Sequence, residues 1–251
     1  MKRPVVTGAA RIAGVVGRPI AHSLSPVIHG AWIADAGLDA AYVAFAPEDD
    51  KGFERLVRAF RGGIVRGLNV TAPFKEAALA LSDRASDAAI RAGSANVLIF
   101  HADGVIEALT TDGEGMLAAF SEQAPGWSPA DGPVAVLGAG GAARAAAAAL
   151  IDAGCPAVRV LNRTAARAEE LVFAIGGPVS AHALSDAREA VKGCTALINA
   201  AAGGPIAPLD ALPEGAVVMD MSYRPLETPL LAAARAQGLR AVDGLAMLIG
   251  Q

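Results

Sequence analysis

A glycine-rich turn constrains the fold of this chain more than any other feature. The apolar run at residues 134–137 stops at Gly138, and an alanine-rich stretch follows. With Gly140 and Ala143, the turn completes the pattern G-x-G-x-x-G/A. Gly138 would let a strand turn sharply, Gly140 would let backbone N–H groups approach a pyrophosphate, and Ala143 would let a helix lie close to a sheet. Because phosphates bind at the positive end of a helix, the pattern predicts a dinucleotide-binding βα turn.

A second apolar run, at residues 157–161, lies at the distance that a βαβ unit requires. Folds of this type usually end that strand with an acid for the ribose 2′-hydroxyl, but here Arg163 stands there, followed by Thr164 and Arg167. Guanidinium groups and a hydroxyl suit a 2′-phosphate. Solvation of a helix start is the weaker explanation, because cations there oppose the helix dipole. The pattern favours NADP over NAD.

Length, charge and hydropathy exclude several classes of protein. The chain has 251 residues, 53% of them hydrophobic, so it can bury the core of one large or two modest domains. A net charge of -4 without basic clusters argues against a nucleic-acid surface. No apolar run approaches the roughly eighteen residues of a membrane span. We therefore expect a small-molecule substrate, and neither a nucleic acid nor a membrane as partner.

Cysteine and histidine usage points to a reducing compartment without metal chemistry. Cys155 and Cys194 lie far apart with no CxxC spacing, and the four histidines form no H-x-x-x-H pair. We expect no disulfide and no metal site. A signal peptide is not expected, since Arg11 interrupts the apolar stretch behind the basic start of the chain. These features favour a cytoplasmic protein.

Two hydroxyl residues stand before a helix predicted at residues 27–36. Ser25 is the expected N-cap, with Pro26 at the first helical position. Ser23 and Ser25 would then stand beside a positive helix end, where a small carboxylate can be held without an arginine. Capping explains Ser25 but not Ser23. From these residues alone, plain capping is the favoured interpretation.

A strand predicted at residues 64–71 ends in polar residues. Asn69 and Thr71 are two positions apart, so they point to the same side of the strand, and Lys75 follows just past its end. Ligands bind at strand ends in α/β sheets, so this segment is a candidate site. After it, a hairpin with its tip at residues 102–104 is predicted to return toward Asp112.

Seven sequence blocks resemble the shikimate dehydrogenase family and occur in that family's order and spacing. They are residues 19–26, 69–76, 93–96, 111–113, the glycine turn, 162–164 and 243–248. Together they extend over nearly the whole chain, so the match is far more specific than any one block. The resemblance implies an enzyme that reduces 3-dehydroshikimate to shikimate with NADPH, a step toward the aromatic amino acids.

The family's architecture implies an α/β fold of two domains. One is an N-terminal α/β substrate domain with a mostly parallel sheet, expected at residues 1–111 plus 244–251. The other is a Rossmann-type doubly wound NADP-binding domain, expected at residues 112–243. Chains of the family continue past the position of Gln251 with a helix that covers the first domain. A chain without that helix is expected to be less stable or to close less well.

The resemblance also implies roles for individual residues. Lys75 and Asp112 match the catalytic pair, and Ser23 and Ser25 match the residues that hold the substrate carboxylate, which reverses the preference for plain capping. Substrate contacts are expected from five further residues, namely Asn69, Thr71, Asn96, Tyr223 and Gln251. Cofactor contacts are expected from Gly138, Ala139, Gly140, Gly141, Ala142, Asn162, Arg163, Thr164, Arg167, Met221 and Gly244. The strand predicted at residues 196–204 should end beside the nicotinamide, although residues 200–202 are less polar than in the family.

The chemistry of the pair leaves one assignment open. Ketone reduction needs a hydride donor, here NADPH, and a proton donor near the developing alkoxide. Lys75 suits the second role, with Asp112 orienting it. A free lysine titrates near roughly 10.4 and a neighbouring carboxylate raises that pKa, so we do not assign the base and treat the two as one titrating pair. A simple exposed ion pair would contribute only about 0–1 kcal/mol to stability, so stability alone does not explain the presence of both charges.

Two alternatives stay open at this stage. One is a quinate/shikimate dehydrogenase of broader specificity, which would accept an extra hydroxyl and often NAD. The other is a non-catalytic NADPH-binding regulatory protein, which would need neither Lys75 nor Asp112. The chain is expected to be a monomer or a homodimer.

Overall fold

The computed structural model describes residues 6–201 and 208–251. The chain forms two compact units. The first comprises Met1–Ile90 and Ser94–Thr110, and the second comprises Arg91–Gly93 and Thr111–Gln251. Residues 202–204, the last part of the strand predicted at 196–204, lie outside the described residues.

The first unit is built on a mixed sheet. Its strands are β1 (Arg11–Val16), β2 (Ala40–Phe45), β3 (Val65–Val70), β4 (Arg84–Ala85), β5 (Val97–Phe100) and β6 (Ile106–Leu109). Its helices are α1 (Ser25–Asp35), α2 (Asp50–Phe60), α3 (Lys75–Ala80) and, at the unit boundary, α4 (Asp87–Ala92). The strand order is β2-β1-β3-β5-β6-β4. β5 runs antiparallel to both its neighbours, and the other pairs are parallel. β5 and β6 form the predicted hairpin.

Aromatic side chains fill the core on one face of this sheet. Helix α2 buries Phe53 and Val57, one turn apart, and begins at Asp49, whose carboxylate accepts a hydrogen bond from the Gly52 N–H at 2.7 Å. The Phe53 ring stacks on Phe74 with centroids 4.8 Å apart. Phe74 directly precedes Lys75, so this stack anchors the segment that carries the predicted catalytic lysine.

The second unit is a doubly wound parallel sheet. Its strands are β7 (Val134–Leu137), β8 (Val158–Asn162), β9 (Val179–Ala183), β10 (Ala196–Asn199), β11 (Val217–Asp220) and β12 (Arg240–Val242). Its helices are α5 (Asp112–Gln123), α6 (Gly141–Asp152), α7 (Ala165–Ile175), α8 (Ala187–Ala190), α9 (Pro229–Ala236) and α10 (Gly244–Gly250). The order β12-β11-β10-β7-β8-β9, all parallel, is that of a dinucleotide-binding fold and agrees with the predicted fold class.

Buried strands hold this sheet between two apolar layers. Along β7, Val134 and Val136 pack into one cluster, whereas Ala135 and Leu137 pack into a second cluster. Alternate side chains of a strand point to opposite faces, so helices cover both sides of the sheet. Ala143 of α6 is fully buried in the first cluster, where its small side chain lets the helix lie close to the strands.

The end of the chain packs within the second unit. A Cβ on Gly115 of α5 would lie 2.8 Å from the Met247 carbonyl oxygen of α10, so the two helices touch at a glycine. Gln123 exchanges two hydrogen bonds of 2.9 Å with Asp243, the N-cap of α10. Residues 244–251, assigned to the substrate domain by sequence, thus fold against α5. Their functional assignment stays a prediction.

The start of α1 differs from its prediction. The helix begins at Ser25, and Leu24 is the N-cap residue without a side-chain hydrogen bond, so the prediction of Ser25 as N-cap is wrong. The chain turns earlier, because the N–H groups of Val27 and Ile28 already bond the Leu24 carbonyl. Ser23 Oγ instead accepts the Ser25 N–H at 3.3 Å. The local bond at this helix start therefore belongs to Ser23.

In the described part of the chain, we find no helix that combines the length and the apolar character needed to cross a bilayer.

Candidate functional site

In the first unit, two chain segments meet at the ends of β1 and β3. The Thr71 N–H bonds the Val16 carbonyl at 2.9 Å, and the Arg18 N–H bonds the Ala72 carbonyl at 2.9 Å. A Cβ on Gly17 would lie only 2.3 Å from Thr71 Cγ2, so glycine is needed for this close approach. The segment leading to Ser23 is thereby held beside the predicted substrate residue Thr71.

Backbone hydrogen bonds attach Lys75 and Asn96 to the same strand end. Asn69 of β3 pairs with Val97 of β5, and the Val70 N–H bonds the Asn96 carbonyl at 2.7 Å. The Ala95 N–H bonds the Lys75 carbonyl at 2.9 Å. Asn96 is buried and Lys75 is half-buried. The fold therefore gathers at one sheet edge the predicted residues Asn69, Thr71, Lys75 and Asn96.

A tyrosine bonds Asn69 and lies beside Ser25. The Tyr42 hydroxyl of β2 donates to Asn69 Oδ1 at 2.6 Å. The Ser25 side chain partly offsets the rise in the Tyr42 pKa that burial causes. Burial raises the pKa of Tyr42 well above its ordinary value, so the phenol stays protonated and can donate.

In the second unit, Asp112 and Gln251 lie in direct contact. Asp112 is the first residue of α5 and only 1% exposed. Gln251 Nε2 donates to Asp112 Oδ1 at 2.9 Å, across 139 positions of sequence. The packing of α10 on α5 brings them together. A buried carboxylate that accepts an amide hydrogen bond is fixed in orientation, as a residue that must align a partner requires.

The glycine turn has the shape that a pyrophosphate requires. Gly138 has φ of 110°, and its Cβ would lie 3.2 Å from the Ala200 and Ala201 backbone, so only glycine fits between β7 and β10. The N-cap of α6 is Gly140, and a Cβ there would meet no described atom within 4 Å. Because the cap residue is a glycine, it places no side chain before the helix N-terminus. The residues present therefore fit a dinucleotide phosphate.

The end of β8 presents cationic side chains to solvent. Arg163, Thr164 and Arg167 are all exposed, at the start of α7. Thr164 is the N-cap residue, but its hydroxyl makes no capping bond. Asn162 Nδ2 donates to the Thr164 carbonyl at 2.9 Å and holds the turn. Exposed guanidinium groups beside a hydroxyl form a suitable binding surface for a 2′-phosphate.

Two predicted cofactor residues touch through the backbone. A Cβ on Gly244 would lie 2.4 Å from the Met221 carbonyl oxygen, a distance that no side chain tolerates. Met221 follows β11 directly, and the half-buried Tyr223 comes two residues later. Gly244 therefore allows the start of α10 to press against the loop after β11.

The chain matches two family models. Residues 15–98 match the shikimate dehydrogenase substrate binding domain, and residues 123–210 match shikimate / quinate 5-dehydrogenase. A shikimate dehydrogenase (NADP(+)) of Caulobacter vibrioides is 54% identical over 98% of this chain and 88% of its own length. The chain belongs to the shikimate dehydrogenase family. The resemblance inferred from seven sequence blocks is confirmed.

Solved structures of shikimate dehydrogenase relatives share the fold. Shikimate 5-dehydrogenase from Thermus thermophilus, in complex with NADP(H) and shikimate, superposes with a TM-score of 0.82 at 36% identity, covering 96% of this chain and 89% of that one. A quinate dehydrogenase from Corynebacterium glutamicum in complex with NAD gives a TM-score of 0.85 at 26% identity, covering 96% and 90%. The predicted two-domain α/β fold class is confirmed.

Sequence reasoning missed three buried or half-buried polar residues of this shikimate dehydrogenase family member. They are Tyr42, Asn199 and Asp220. Asn199 Nδ2 donates to Asp220 Oδ1 at 3.1 Å, and the same oxygen accepts the Ser222 N–H at 3.0 Å. This pair ties the end of β10 to the loop that begins with Met221. A polar residue closing each of two apolar runs was the available signal, whereas nothing local distinguished Tyr42.

Among residues 6–201 and 208–251, no group of three His, Cys, Asp or Glu side chains is placed to hold a metal ion.

Proposed function

We propose that the protein catalyses the reversible NADPH-dependent reduction of 3-dehydroshikimate to shikimate, with Lys75 and Asp112 as its catalytic pair. The observation that carries this proposal is the 54% identity to a shikimate dehydrogenase (NADP(+)) over 98% of the chain. The retained glycine turn, the buried Asp112 and the half-buried Lys75 support it from the geometry of each unit.

The residues of the pair have separate tasks in the proposed mechanism. NADPH, when bound, supplies the hydride for the carbonyl carbon. The Lys75 ammonium stabilises the negative charge that develops on the carbonyl oxygen, and the pair delivers the proton that makes it a hydroxyl. Asp112 binds a ring hydroxyl and orients the substrate, while the Gln251 amide fixes the Asp112 carboxylate. In the reverse direction the same pair accepts the proton.

Substrate binding is proposed for the remaining polar residues. Ser23 and Ser25 hold the carboxylate at the start of α1 with neutral donors. The side chains that contact the ring hydroxyls are Asn69, Thr71, Asn96, Tyr223 and Gln251. These hydroxyl and amide side chains would recognise the substrate by the number and direction of its hydrogen bonds. An analogue that leaves a buried group of the site unpaired would therefore bind more weakly.

Cofactor binding is proposed for three parts of the second unit. The turn residues Gly138, Ala139, Gly140, Gly141 and Ala142 approach the pyrophosphate. Asn162, Arg163, Thr164 and Arg167 surround the 2′-phosphate. Met221 and Gly244 border the nicotinamide end. Arginine guanidinium groups match phosphate oxygens in geometry and charge. This assignment agrees with the name of the Caulobacter vibrioides relative, shikimate dehydrogenase (NADP(+)).

The absorbance of the reduced nicotinamide provides the test. Shikimate and quinate are each combined with NADP and with NAD, and kcat/KM is measured for every pairing. We expect the highest value for shikimate with NADP. Comparable values for quinate or NAD would favour the broader quinate/shikimate dehydrogenase. NADPH binding without turnover of either acid would favour a regulatory protein.

We also propose a cellular compartment and an oligomeric state. Cys155 and Cys194 are buried free thiols, which fits a protein that works in the reducing cytoplasm. A monomer or a homodimer is proposed, and sedimentation at several protein concentrations separates the two.

A further inference from the structure

One hydroxyl group connects two elements of the proposed substrate site. Tyr42 lies on β2, an edge strand, and its hydroxyl donates to Asn69 Oδ1 on β3 at 2.6 Å. The same hydroxyl lies beside the Ser25 side chain at the start of α1, which partly offsets the rise in the Tyr42 pKa that burial causes. The proposed function assigns substrate contacts to Ser25 and Asn69 and leaves Tyr42 without a role.

The hydrogen bond from Tyr42 is made to one of the two possible orientations of the Asn69 amide. A carboxamide carries an acceptor oxygen on one side and an NH2 donor on the other. With Oδ1 turned to the Tyr42 hydroxyl, Nδ2 is turned to the opposite side, where it can only donate. The reversed amide would present an acceptor instead. The bond from Tyr42 thus holds the orientation in which Asn69 offers a donor to a ligand.

Packing alone would not hold that amide. Asn69 lines a cavity of about 340 Å³, together with Tyr42, Gly67 and Val97. A side chain beside open space has few contacts to restrict its rotation. The short bond from Tyr42 supplies the missing restraint.

The tyrosine ring is itself held in place. His29 of α1 stacks on it with centroids 4.0 Å apart and planes inclined by 3°, and Trp32 meets His29 edge-on at 5.1 Å. Burial lowers the pKa of His29 and raises that of Tyr42, so both rings are neutral near pH 7. The stacking partner His29 comes from α1, the helix that begins at Ser25.

We propose that Tyr42 is a positioning residue of the substrate site, whose hydroxyl holds the Asn69 amide with its donor toward the substrate. The inference rests on the proposed function, because it assumes that Asn69 binds substrate. It predicts that the effect of Tyr42 on substrate affinity passes through Asn69.

Tyr42→Phe tests this while keeping the ring and its stack. KM for shikimate should rise about 3- to 10-fold, the size of one hydrogen bond, whereas kcat and KM for NADP stay within about twofold. In an Asn69→Ala background, the same change should add at most about twofold, since residues that act through one another are not additive. Trp32→Phe is the matched control: it alters the same aromatic stack without touching Ser25 or Asn69, and should leave KM unchanged.

Asn69→Asp provides a second, independent variant. The aspartate keeps an acceptor for Tyr42 and removes the donor, so KM for shikimate should rise at least about 10-fold with little change in melting temperature. A merely structural partner of Tyr42 would tolerate this change.

The possible outcomes separate the inference from the function on which it rests. An unchanged KM in Tyr42→Phe overturns the inference, as do full additivity with Asn69→Ala, a tolerated Asn69→Asp, or equal losses in Tyr42→Phe and Trp32→Phe. In each of those cases the wild-type enzyme still oxidises shikimate. Wild-type protein that oxidises no shikimate overturns the proposed function, and the role of Tyr42 with it.

Discussion

The two units differ in what their proposed sites require of the sequence. In the second unit, the turn after β7 and the start of α10 require glycine, because Gly138 and Gly244 leave no room for a Cβ. In the first unit, the proposed site relies on polar side chains that must be correctly turned, such as Asn69 and Lys75. Substitutions of these glycines should therefore change the shape of the second unit, whereas substitutions in the proposed site of the first unit should change its chemistry.

The largest effect is expected for Lys75→Ala. Turnover of shikimate should fall about 10²- to 10⁴-fold, the usual contribution of acid–base catalysis, while NADPH binding and melting temperature stay unchanged. Steady-state kinetics and fluorescence titration of NADPH measure both. Lys51→Ala, an exposed lysine of the same unit, is the control. Near wild-type turnover in Lys75→Ala would remove Lys75 from the mechanism.

Gly244→Ala should affect shape in the second unit. The added Cβ would meet the Met221 carbonyl at 2.4 Å, so unfolding should cost about 3 kcal/mol less, and NADPH should bind more weakly. Urea denaturation measures the loss. Gly30→Ala is the opposite case. Gly30 lies inside α1, and no described atom is within 4 Å of an added Cβ, so the free energy of unfolding should rise by about 0.5–1 kcal/mol. Equal effects at both glycines would show that the close contact at Gly244 does not limit the size of the side chain there.

Arg163→Ala should change cofactor choice. KM for NADPH should rise roughly 10-fold or more, because a charge-assisted bond to phosphate is lost, while KM for NADH stays nearly constant. Arg188→Ala, an exposed arginine that pairs with Asp210, controls for lost surface charge. Equal losses for NADPH and NADH would refute the assignment of the 2′-phosphate.

Removing a helix cap in each unit gives the smallest effects. Asp49 caps α2 in the first unit and Thr228 caps α9 in the second, each through a bond to a backbone N–H. Asp49→Ala and Thr228→Ala should each lower stability by about 1 kcal/mol. Hydrogen exchange should speed up mainly in the unit that carries the change. Equal acceleration in both units by either variant would show that they unfold together.

Local pattern was sufficient for most of the secondary structure. The strand that ends at Gly138 and the hairpin around residues 102–104 both occur where the sequence predicts them. The predicted cap at Ser25 is wrong because the Leu24 carbonyl already accepts the Val27 and Ile28 N–H groups, so the helix begins one residue earlier. Element boundaries depend on such small differences.

Sequence by itself determined the family, the fold class and the cofactor, because glycine spacing, apolar runs and contiguous motifs are short-range properties of the chain. It also predicted the residues of the candidate site. Tertiary structure decided which distant residues meet. The contact of Gln251 with Asp112, the bond from Tyr42 to Asn69 and the pair Asn199–Asp220 join positions 21 to 139 residues apart. Such contacts arise only when strands and helices pack, since each polar partner is supplied by a different element.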